Sequence, residues 1–577
     1  NATQAVELAE RASALAREIG SREAFWDARL TAGMAYRALN QVHQARQAFV
    51  EAIATVEDLR TRVPGGEQQF EQFFENKITP YYQMSELLID QGNLAEALAY
   101  VERAKGRALL DTLQSGRVDI TKAMTSADRN QELKLAGDIT SLNAQRQIEM
   151  QRSQPDQTRL RELDVRLDKA RLDYEAFQTN LYAAHPELKV HRGEIQYVDL
   201  EQVGKLIQDR RTAFLEYAVT DDKTFVFVLT RSNNPQQQNA ILNVYTLGIK
   251  ETELAALVDR FRERIANRRA GYYDLSNRLY RILLAPLQAD LQNKTHIVIL
   301  PDRILWDLPF QALQSDPEHY LIENYAISYS PSLTVLREMA KSRTRQPTES
   351  SRPSATLVAL GNPTIGSEMA ARIGPIFMDE VLGPLPDAER QVKTIGRLYG
   401  SQHSKVYIRT DATEEVAKAE AGRCRILHLA THGIASNHNP MYSHLVLAQP
   451  DRSETEDGLL EAWEIMKLDV SAELVILSAC DTARGRIGAG EGVVGLAWAF
   501  FVAGCPSTVV SQWRVAASSA TELLIEFHRQ LKPGIANRTP GVSKAEALRA
   551  AALKLLRTRK YRHPFHWAAF VMVGNPA

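Results

Sequence analysis

The chain has 577 residues, which is too long for a single hydrophobic core, so its length predicts two to four domains. It is 44% hydrophobic and 24% charged, which is typical of a soluble globular protein, and no uncharged apolar run reaches transmembrane length. The net charge of −1 argues against a nucleic acid or a membrane surface as partner. The three cysteines form no CxxC pair, which excludes zinc ribbons and redox motifs. So few cysteines in so long a chain are typical of a reducing cytoplasm.

Residues 1–115 are rich in Ala, Leu, Glu and Gln and poor in Pro, which predicts helices. In "AGMAYRALNQVHQARQAFVEA", Gly33 lies on one predicted helix and Phe49 on the next, flanked at helical spacing by Ala45 and Ala52. The segment "GNLAEALAYVERA" repeats this pattern of small and large residues at Ala97, Val101 and Ala104. The pattern resembles tetratricopeptide (TPR) repeats, and a plain helical bundle is the alternative.

Residues 116–195 are polar and charged, with a thin apolar stripe formed by Leu160, Leu163, Leu167 and Leu172. Such a segment predicts a long helical hairpin that connects two domains. No function follows from it.

The pattern changes after residue 195. The β-rich runs "TAFLEYAV" and "TFVFVLT" flank "TDDK", which predicts a hairpin. Five short apolar runs follow: "HIVILPD", "ATLVALGNP", "RILHLATHG", "ELVILSACD" and "STVVSQW". Helical segments separate them, so we expect a mainly parallel sheet flanked by helices. A polar loop at 341–354 divides this region into residues 196–345 and 346–577.

Two of these runs end in reactive side chains. His432 follows one, and Cys480 follows another 48 residues later. Ligands of open α/β sheets collect at the carboxyl ends of the strands, so neighbouring parallel strands would place both residues at one edge. An imidazole can activate a thiol and protonate a leaving amine. The pair predicts a His–Cys dyad, with the N–H groups of Gly433 and Cys480 as oxyanion donors.

The alternative is that each residue is structural, because a Cys on an apolar strand is usually a small buried hydrophobe. We assign that role to Cys424 and Cys505. His428 precedes the end of its strand and faces away from its neighbours, so it is expected to pack.

Six segments together resemble one family, the CHAT domain: "HLATHG", "DGLLEAWEI", "LSACDT", "GEGVVGLAWAFFVAG", "STVVSQWRV" and "HPFHWAAFVMVGNP". The family is related to caspases, separases and gingipains, and its members accompany TPR repeats. The resemblance covers about residues 195–577. It implies a caspase-like α/β fold and a cysteine endopeptidase that uses His432 and Cys480 without a metal or cofactor. It also implies a degenerate first half, at residues 196–345, that supports a catalytic half at 346–577.

One departure concerns specificity. Ala516 and Ala517 stand where relatives carry acidic residues that resemble those with which separases hold arginine. Arg514 could instead attract an acidic side chain, and Trp513 could wall the cleft or belong to the core. The residues predicted to contact substrate are Ser478, Asp481, Trp513 and Arg514. The glycine-rich stretch 485–492 lacks a preceding strand and a Lys-Ser/Thr, so it predicts a loop rather than a phosphate site.

The sequence therefore predicts a regulated cysteine endopeptidase with a protein or peptide substrate. Its TPR-like region would bind an activating partner or the substrate. A cytoplasmic role in bacterial signalling or defence fits this family resemblance. Neither a nucleic acid nor a membrane is expected as a partner. The alternative is a non-catalytic TPR–CHAT scaffold, in which the dyad has no chemical role.

Overall fold

A computed structural model shows a helical N-terminal region followed by one large sheet. It describes the whole chain apart from residues 61–76, 107–108, 111–124, 126, 129, 132–133, 136–137, 140–141, 143–144, 146–155, 185–196, 208, 233–238, 345–354, 366–382, 435–442, 450–455, 457, 479–485, 489–491, 538–541 and 577.

The N-terminal region contains five described helices: α1 (Ala2–Glu18), α2 (Arg22–Ala38), α3 (Val42–Arg60), α4 (Thr79–Asp90) and α5 (Leu94–Ala104). Three of their turns share one geometry, with Gly20, Asn40 and Gly92 at φ of 70°, 59° and 77°. In each turn the next N–H donates to a carbonyl five residues back: Ser21 to Ala16, Gln41 to Tyr36, and Asn93 to Leu88. This is the Schellman closure, and its recurrence agrees with the predicted repeat.

The predicted close approach of small and large residues occurs between α2 and α3. A Cβ added to Gly33 would lie 2.4 Å from the ring of Phe49, so only glycine lets this ring pack there. Phe49 is fully buried. In the second pair, the corresponding positions of α5 are also buried: Ala97, Val101 and Ala104.

The connector contains α6 (Gln157–Ala184), and the described residues between 127 and 145 are also helical. Leu163, Leu167 and Tyr174 of α6 pack against Ile139 and Leu142, as expected of a helical hairpin. The predicted apolar stripe is only partly correct, because the side chain at position 172 points to solvent.

Residues 196–345 supply seven strands and six α-helices within the described part: α7 (Leu200–Leu206), β1 (Thr212–Val219), β2 (Thr224–Arg231), β3 (Ala240–Leu247), α8 (Glu251–Ala266), α9 (Tyr272–Leu283), α10 (Gln288–Leu291), β4 (His296–Leu300), β5 (Gln314–Asp316), β6 (His319–Tyr320), α11 (Leu321–Asn324), β7 (Ala326–Tyr329) and α12 (Leu333–Thr344). β1 and β2 form the predicted hairpin. The first residues of the expected 341–354 loop instead continue α12, and the rest lie outside the described residues.

Residues 346–577 supply the remaining elements that the structure describes: β8 (Ala355–Pro363), α13 (Pro386–Tyr399), β9 (Ser404–Arg409), α14 (Glu414–Ala421), β10 (Cys424–Ala430), β11 (His432–Ile434), β12 (His444–Val446), β13 (Leu459–Glu461), α15 (Ala462–Lys467), β14 (Leu474–Leu477), β15 (Arg486–Gly488), β16 (Gly492–Val494), α16 (Leu496–Val502), β17 (Ser507–Ser511), α17 (Ala517–Asn537), α18 (Lys544–Leu556) and β18 (Phe570–Gly574). The prediction of a loop at 485–492 is wrong for its described residues, because β15 and β16 pair there as an antiparallel ladder.

The two halves share one eleven-stranded sheet, in the order β3-β2-β1-β4-β7-β18-β17-β14-β10-β8-β9. Strands β1, β4, β7 and β18 run parallel, and so do β17, β14, β10, β8 and β9. The two sets meet where β18 pairs antiparallel with β17. The predicted fold class, a helical region followed by a mainly parallel sheet flanked by helices, is confirmed. The exact domain boundaries stay predictions.

The N-terminal helices cover the carboxyl ends of β1 and β4. The hydroxyl of Tyr82 on α4 donates to Asp302 at 2.9 Å, and the N–H of Val219 donates to the same carboxylate oxygen at 2.7 Å. Tyr82 and Asp302 are both buried. The helical region is therefore packed directly against the half of the sheet that residues 196–345 form.

A buried charge cluster lies beside this contact. The ammonium of Lys105 lies 3.1 Å from the carbonyl of Leu300 and 3.4 Å from Glu216. Glu102 accepts the first N–H groups of α12, those of Leu333 and Thr334, at 2.8 Å each. Burial, reinforced by the charge of Glu102, raises the pKa of Glu216 well above its ordinary range.

Candidate active site

The two strands that precede the predicted dyad are neighbours. β10 and β14 are parallel, with Leu429 directly opposite Leu477, and the N–H of Ser478 donates to the carbonyl of Leu429 at 2.8 Å. His432 stands three residues after Leu429, and Cys480 stands three residues after Leu477. The prediction that both strands end at one edge of the sheet is confirmed. Cys480 and Asp481 themselves lie outside the described residues.

His432 begins β11 and is half-buried. Its Nε2 lies 3.2 Å from the carbonyl oxygen of Gly383. A carbonyl only accepts, so Nε2 carries the proton of this hydrogen bond. In the neutral ring Nδ1 then keeps the lone pair, which makes it the nitrogen able to take a proton. Gly433 is buried and pairs with Leu445 across the β11–β12 ladder.

The segment that contains Gly383 is itself held in place by hydrogen bonds. The side-chain oxygen of Asn362, at the end of β8, accepts the N–H of Leu385 at 2.6 Å. Its amide nitrogen donates to Glu389 on α13 at 2.8 Å. Ion pairing with Lys393, the hydrogen bond from Asn362 and the charge of Arg409 lower the pKa of Glu389 to about 2.

A cleft of about 710 Å³ adjoins Gly383. It lies between the ends of β8 and β9 and one side of α13, from Pro386 to Arg397. Four cationic side chains and one carboxylate contribute to its lining: Arg390, Lys393, Arg397, Arg409 and Glu389. A cleft of this size accommodates several residues of a peptide or a small organic ligand.

Beneath the edge runs a buried chain of hydrogen bonds. Gln391 contacts the hydroxyl of Ser478 at 3.1 Å and Nε2 of His428 at 2.8 Å. Since the amide nitrogen of Gln391 only donates, Nε2 of His428 accepts, and Nδ1 of His428 then donates to His528 at 2.9 Å. Nδ1 of His528 lies 3.3 Å from the hydroxyl of Tyr399.

His428 and His528, the two histidines of this hydrogen-bond network, are neutral. Burial lowers the pKa of His428 to about 3, and burial together with the neighbouring His428 lowers the pKa of His528 well below its usual value. The prediction that His428 packs in the interior is confirmed, although its partners are polar. Its hydrogen bonds tie β10 to Gln391 of α13 and to His528 of α17.

The remaining predicted site residues are placed as follows. The hydroxyl of Ser478 faces Gln391 in the interior, so it supports the end of β14. Trp513 is 2% exposed, and its indole N–H donates to the carbonyl of Phe565 at 3.3 Å, which fits the alternative of a core residue. Arg514 is exposed. Contact of these three residues with substrate stays a prediction.

The other two cysteines behave as expected of core residues. Cys424 and Cys505 are buried, and burial raises the pKa of each thiol to about 12. Such a raised pKa keeps both thiols protonated near neutral pH, so neither is suited to act as a nucleophile.

One group of carboxylates has the composition of a cation site. Glu414, Glu456 and Glu464 bring their oxygens within 4.8 Å of one another. The ammonium of Lys418 already lies among them, at 2.8, 2.5 and 2.8 Å respectively. These carboxylates raise the pKa of Lys418 against the opposing effect of burial, so the lysine supplies the positive charge that such a cluster needs.

The profile of the CHAT domain matches residues 274–575, just over half of the chain. The chain belongs to the CHAT domain family. No helix in the described segments is both long and apolar enough to cross a bilayer.

Two curated relatives of this CHAT protein are called tetratricopeptide repeat protein 28. The Homo sapiens protein is 26% identical over 339 residues, and the Mus musculus protein is 26% identical over 338 residues. Each match covers 52% of this chain but only 13% of the relative, so the chain spans a small part of those proteins.

Among solved structures, the Saccharomyces cerevisiae separase–securin complex is similar over 98% of this chain and 48% of that chain, with 10% identity and a TM-score of 0.40. Gingipain R, an Arg-specific cysteine proteinase, is similar over 56% of this chain and 74% of that chain, with 11% identity and a TM-score of 0.35.

Three residues of the edge have no counterpart in the sequence-based predictions: Asn362, Glu389 and Gln391. The polar "GNP" that ends β8 was a signal for Asn362, because polar residues at the carboxyl end of a parallel strand face the ligand-binding edge. Nothing in the sequence marked the other two, which belong to the amphipathic pattern of α13.

Proposed function

We propose that this CHAT protein is a regulated cysteine endopeptidase in which His432 and Cys480 form the catalytic dyad. The observation that carries the proposal is the register of β10 and β14. Leu429 faces Leu477, so the chain leaves both strands at one edge and reaches the histidine and the cysteine after the same number of residues.

The orientation of His432 supports this role. Its Nε2–H donates to the carbonyl of Gly383, and in the proposed reaction Nδ1 exchanges a proton with the thiol and the substrate. Imidazole is the side chain best suited to this exchange near neutral pH.

In the proposed reaction the Cys480 thiol passes its proton to His432, and the thiolate attacks a peptide carbonyl carbon. The N–H groups of Gly433 and Cys480 stabilise the oxyanion. The C–N bond breaks as His432 returns the proton to the leaving amine. Water, deprotonated by His432, then hydrolyses the thioester and regenerates the thiol.

The cleft beside Gly383 supports a peptide substrate, because it continues the edge on which the dyad would stand. The TPR-like helices offer a surface for an activating partner or for part of the substrate. A cytoplasmic location and a role in signalling or defence belong to the same proposal.

The test is cleavage of a peptide library by the wild type and by Cys480→Ala. We expect the variant to lose roughly 10⁴-fold or more of the activity, as is typical when a nucleophile is removed. Cys424→Ala is the matched control, because it removes a buried thiol that remains protonated, and it should retain cleavage.

The residues found before the cut sites would also define the specificity that Ala516 and Ala517 leave open. A wild type that cleaves no more than Cys480→Ala contradicts the proposal and favours the non-catalytic scaffold.

A further inference from the structure

The carbonyl of Gly383 accepts from the ring of His432 at 3.2 Å, so whatever fixes Gly383 also helps to orient that ring. Gly383 is followed by Pro384, whose ring fixes φ, and by Leu385, the last residue before α13. The N–H of Leu385 donates to the side-chain oxygen of Asn362 at 2.6 Å. This hydrogen bond ties the segment 383–385 to the end of β8.

The backbone of Asn362 is shaped for this contact. The pairing of β8 with β9 shifts register between Gly361 and Pro363, and Asn362 has a φ of 50°. Bulges of this kind re-aim a side chain, and Asn tolerates the left-handed region better than most residues. The side chain of Asn362 is buried, at 8% exposure, although the residue lies beside a cleft.

The other end of the Asn362 amide is anchored. Its nitrogen donates to Glu389 at 2.8 Å, and Glu389 also accepts from Arg409 on β9 at 3.0 Å and from Lys393 at 2.7 Å. A carboxylate with three donors is held firmly in one orientation. It therefore fixes which way the Asn362 amide faces, with its oxygen towards Leu385.

We propose that Asn362 is a positioning residue for His432, acting through the segment 383–385 and oriented by Glu389. The inference rests on the proposed function, because it gives His432 a proton to move. When the Asn362 amide is removed, the Leu385 N–H loses its acceptor and the Gly383 carbonyl is no longer fixed against the imidazole. The ring then samples other orientations and tautomers.

Three variants separate this role from general stability. Asn362→Gly removes the amide and accepts the positive φ without strain. The double variant Asn362→Asp/Glu389→Gln exchanges acid and amide, so it keeps an acceptor for Leu385 and a hydrogen bond between the two side chains. Asn293→Gly is the matched control, an exposed Asn with a φ of 63° that precedes β4 in the other half.

In peptide cleavage we expect Asn362→Gly to lower kcat roughly 10-fold to 100-fold with little change in KM, because small displacements of a catalytic group have effects of this size. The double variant should recover most of this loss, and Asn293→Gly should match the wild type. If the wild type cleaves and Asn362→Gly keeps its kcat, Asn362 does not position His432, while the endopeptidase proposal stands.

A second readout does not need activity. In protein carrying Cys480→Ala and ¹⁵N-labelled histidine, the ring nitrogens of His432, assigned by loss of signal in His432→Gln, should report one tautomer with a proton on Nε2. Adding Asn362→Gly should shift those signals towards a mixture of tautomers, and adding Asn293→Gly should not. Unchanged signals in the Asn362→Gly protein would overturn the inference even if the wild type proves inactive.

Discussion

The two halves of the sheet present the carboxyl ends of their parallel strands in opposite ways. In the first half, the ends of β1 and β4 are covered by N-terminal helices, and one carboxylate oxygen of Asp302 accepts hydrogen bonds from Tyr82 and Val219. In the second half, the ends of β8 and β10 carry Asn362 and His432 beside a cleft of about 710 Å³. The same kind of strand end serves packing in one half and is left accessible in the other.

The difference teaches that strand order alone does not make a site in this fold. What differs is the element that follows or covers the edge. In the first half, α4 and α5 pack over the strand ends, and Lys105 is buried against the carbonyl of Leu300. In the second half, α13 lies beside the strand ends, and Gly383 contacts His432 next to the cleft. The division into a supporting half and a catalytic half stays a prediction.

The largest expected effect tests whether chemistry is confined to the second edge. His432→Ala should lower peptide cleavage by roughly 10²–10⁴-fold, the usual contribution of general acid–base catalysis. His319→Ala is the control from the first half, since His319 is exposed and its ring contacts Asp316 at 2.9 Å, far from the second edge. Steady-state rates on the same peptides decide the matter, and equal rates for the two variants would break the comparison.

The next effect tests whether buried charge seals the first edge. Lys105→Met removes a cation that is 1% exposed and leaves the carboxyl of Glu216 without its ion-pair partner, so we expect the free energy of unfolding to fall by about 3–5 kcal/mol. Urea denaturation measures it. Lys205→Met, which alters an exposed ion pair with Glu201, should leave the unfolding midpoint unchanged. A midpoint of Lys105→Met equal to that of Lys205→Met would show that the seal is apolar.

The smallest effect concerns the neutral histidines under the second edge. Burial lowers the pKa of His428 from 6.5 to about 3, so the unfolded chain binds one more proton than the folded chain between these values. Stability from this group is complete above about pH 6.5 and falls with decreasing pH by about 1.4 kcal/mol per unit.

His428→Gln should therefore show a shallower loss of stability than the wild type between pH 6 and pH 4, by about one proton, in urea titrations at each pH. His43→Gln, an exposed substitution on α3, should keep the wild-type slope. A variant at position 428 with the full wild-type slope would mean that the buried chain takes up a proton without unfolding.

Much of the second half could be predicted from the sequence, because its signals are local. Continuous apolar runs that stop at polar residues marked β10 and β14, and parallel neighbours bring such ends together, as Leu429 and Leu477 show. The same reasoning correctly treated Cys424 and Cys505 as core residues.

The parts that were missed depend on partners that are distant along the chain. Asn362 matters because of Leu385 and Glu389, and Tyr82 meets Asp302 across 220 positions, so no local pattern shows either contact. Leu172 shared the spacing of a buried stripe, but periodicity does not say which face meets a neighbour. Glycines at 485–492 suggested a loop, yet a short ladder forms because backbone groups pair regardless of side chain.

The position of β18 has a consequence for biosynthesis. It sits between β7 and β17 in the sheet, yet it follows every other described strand in chain order. A ribosome therefore releases both flanking strands long before the one that joins them, and until then each exposes an unpaired edge. The continuous sheet can therefore form only once β18 has left the ribosome, later than every other described strand.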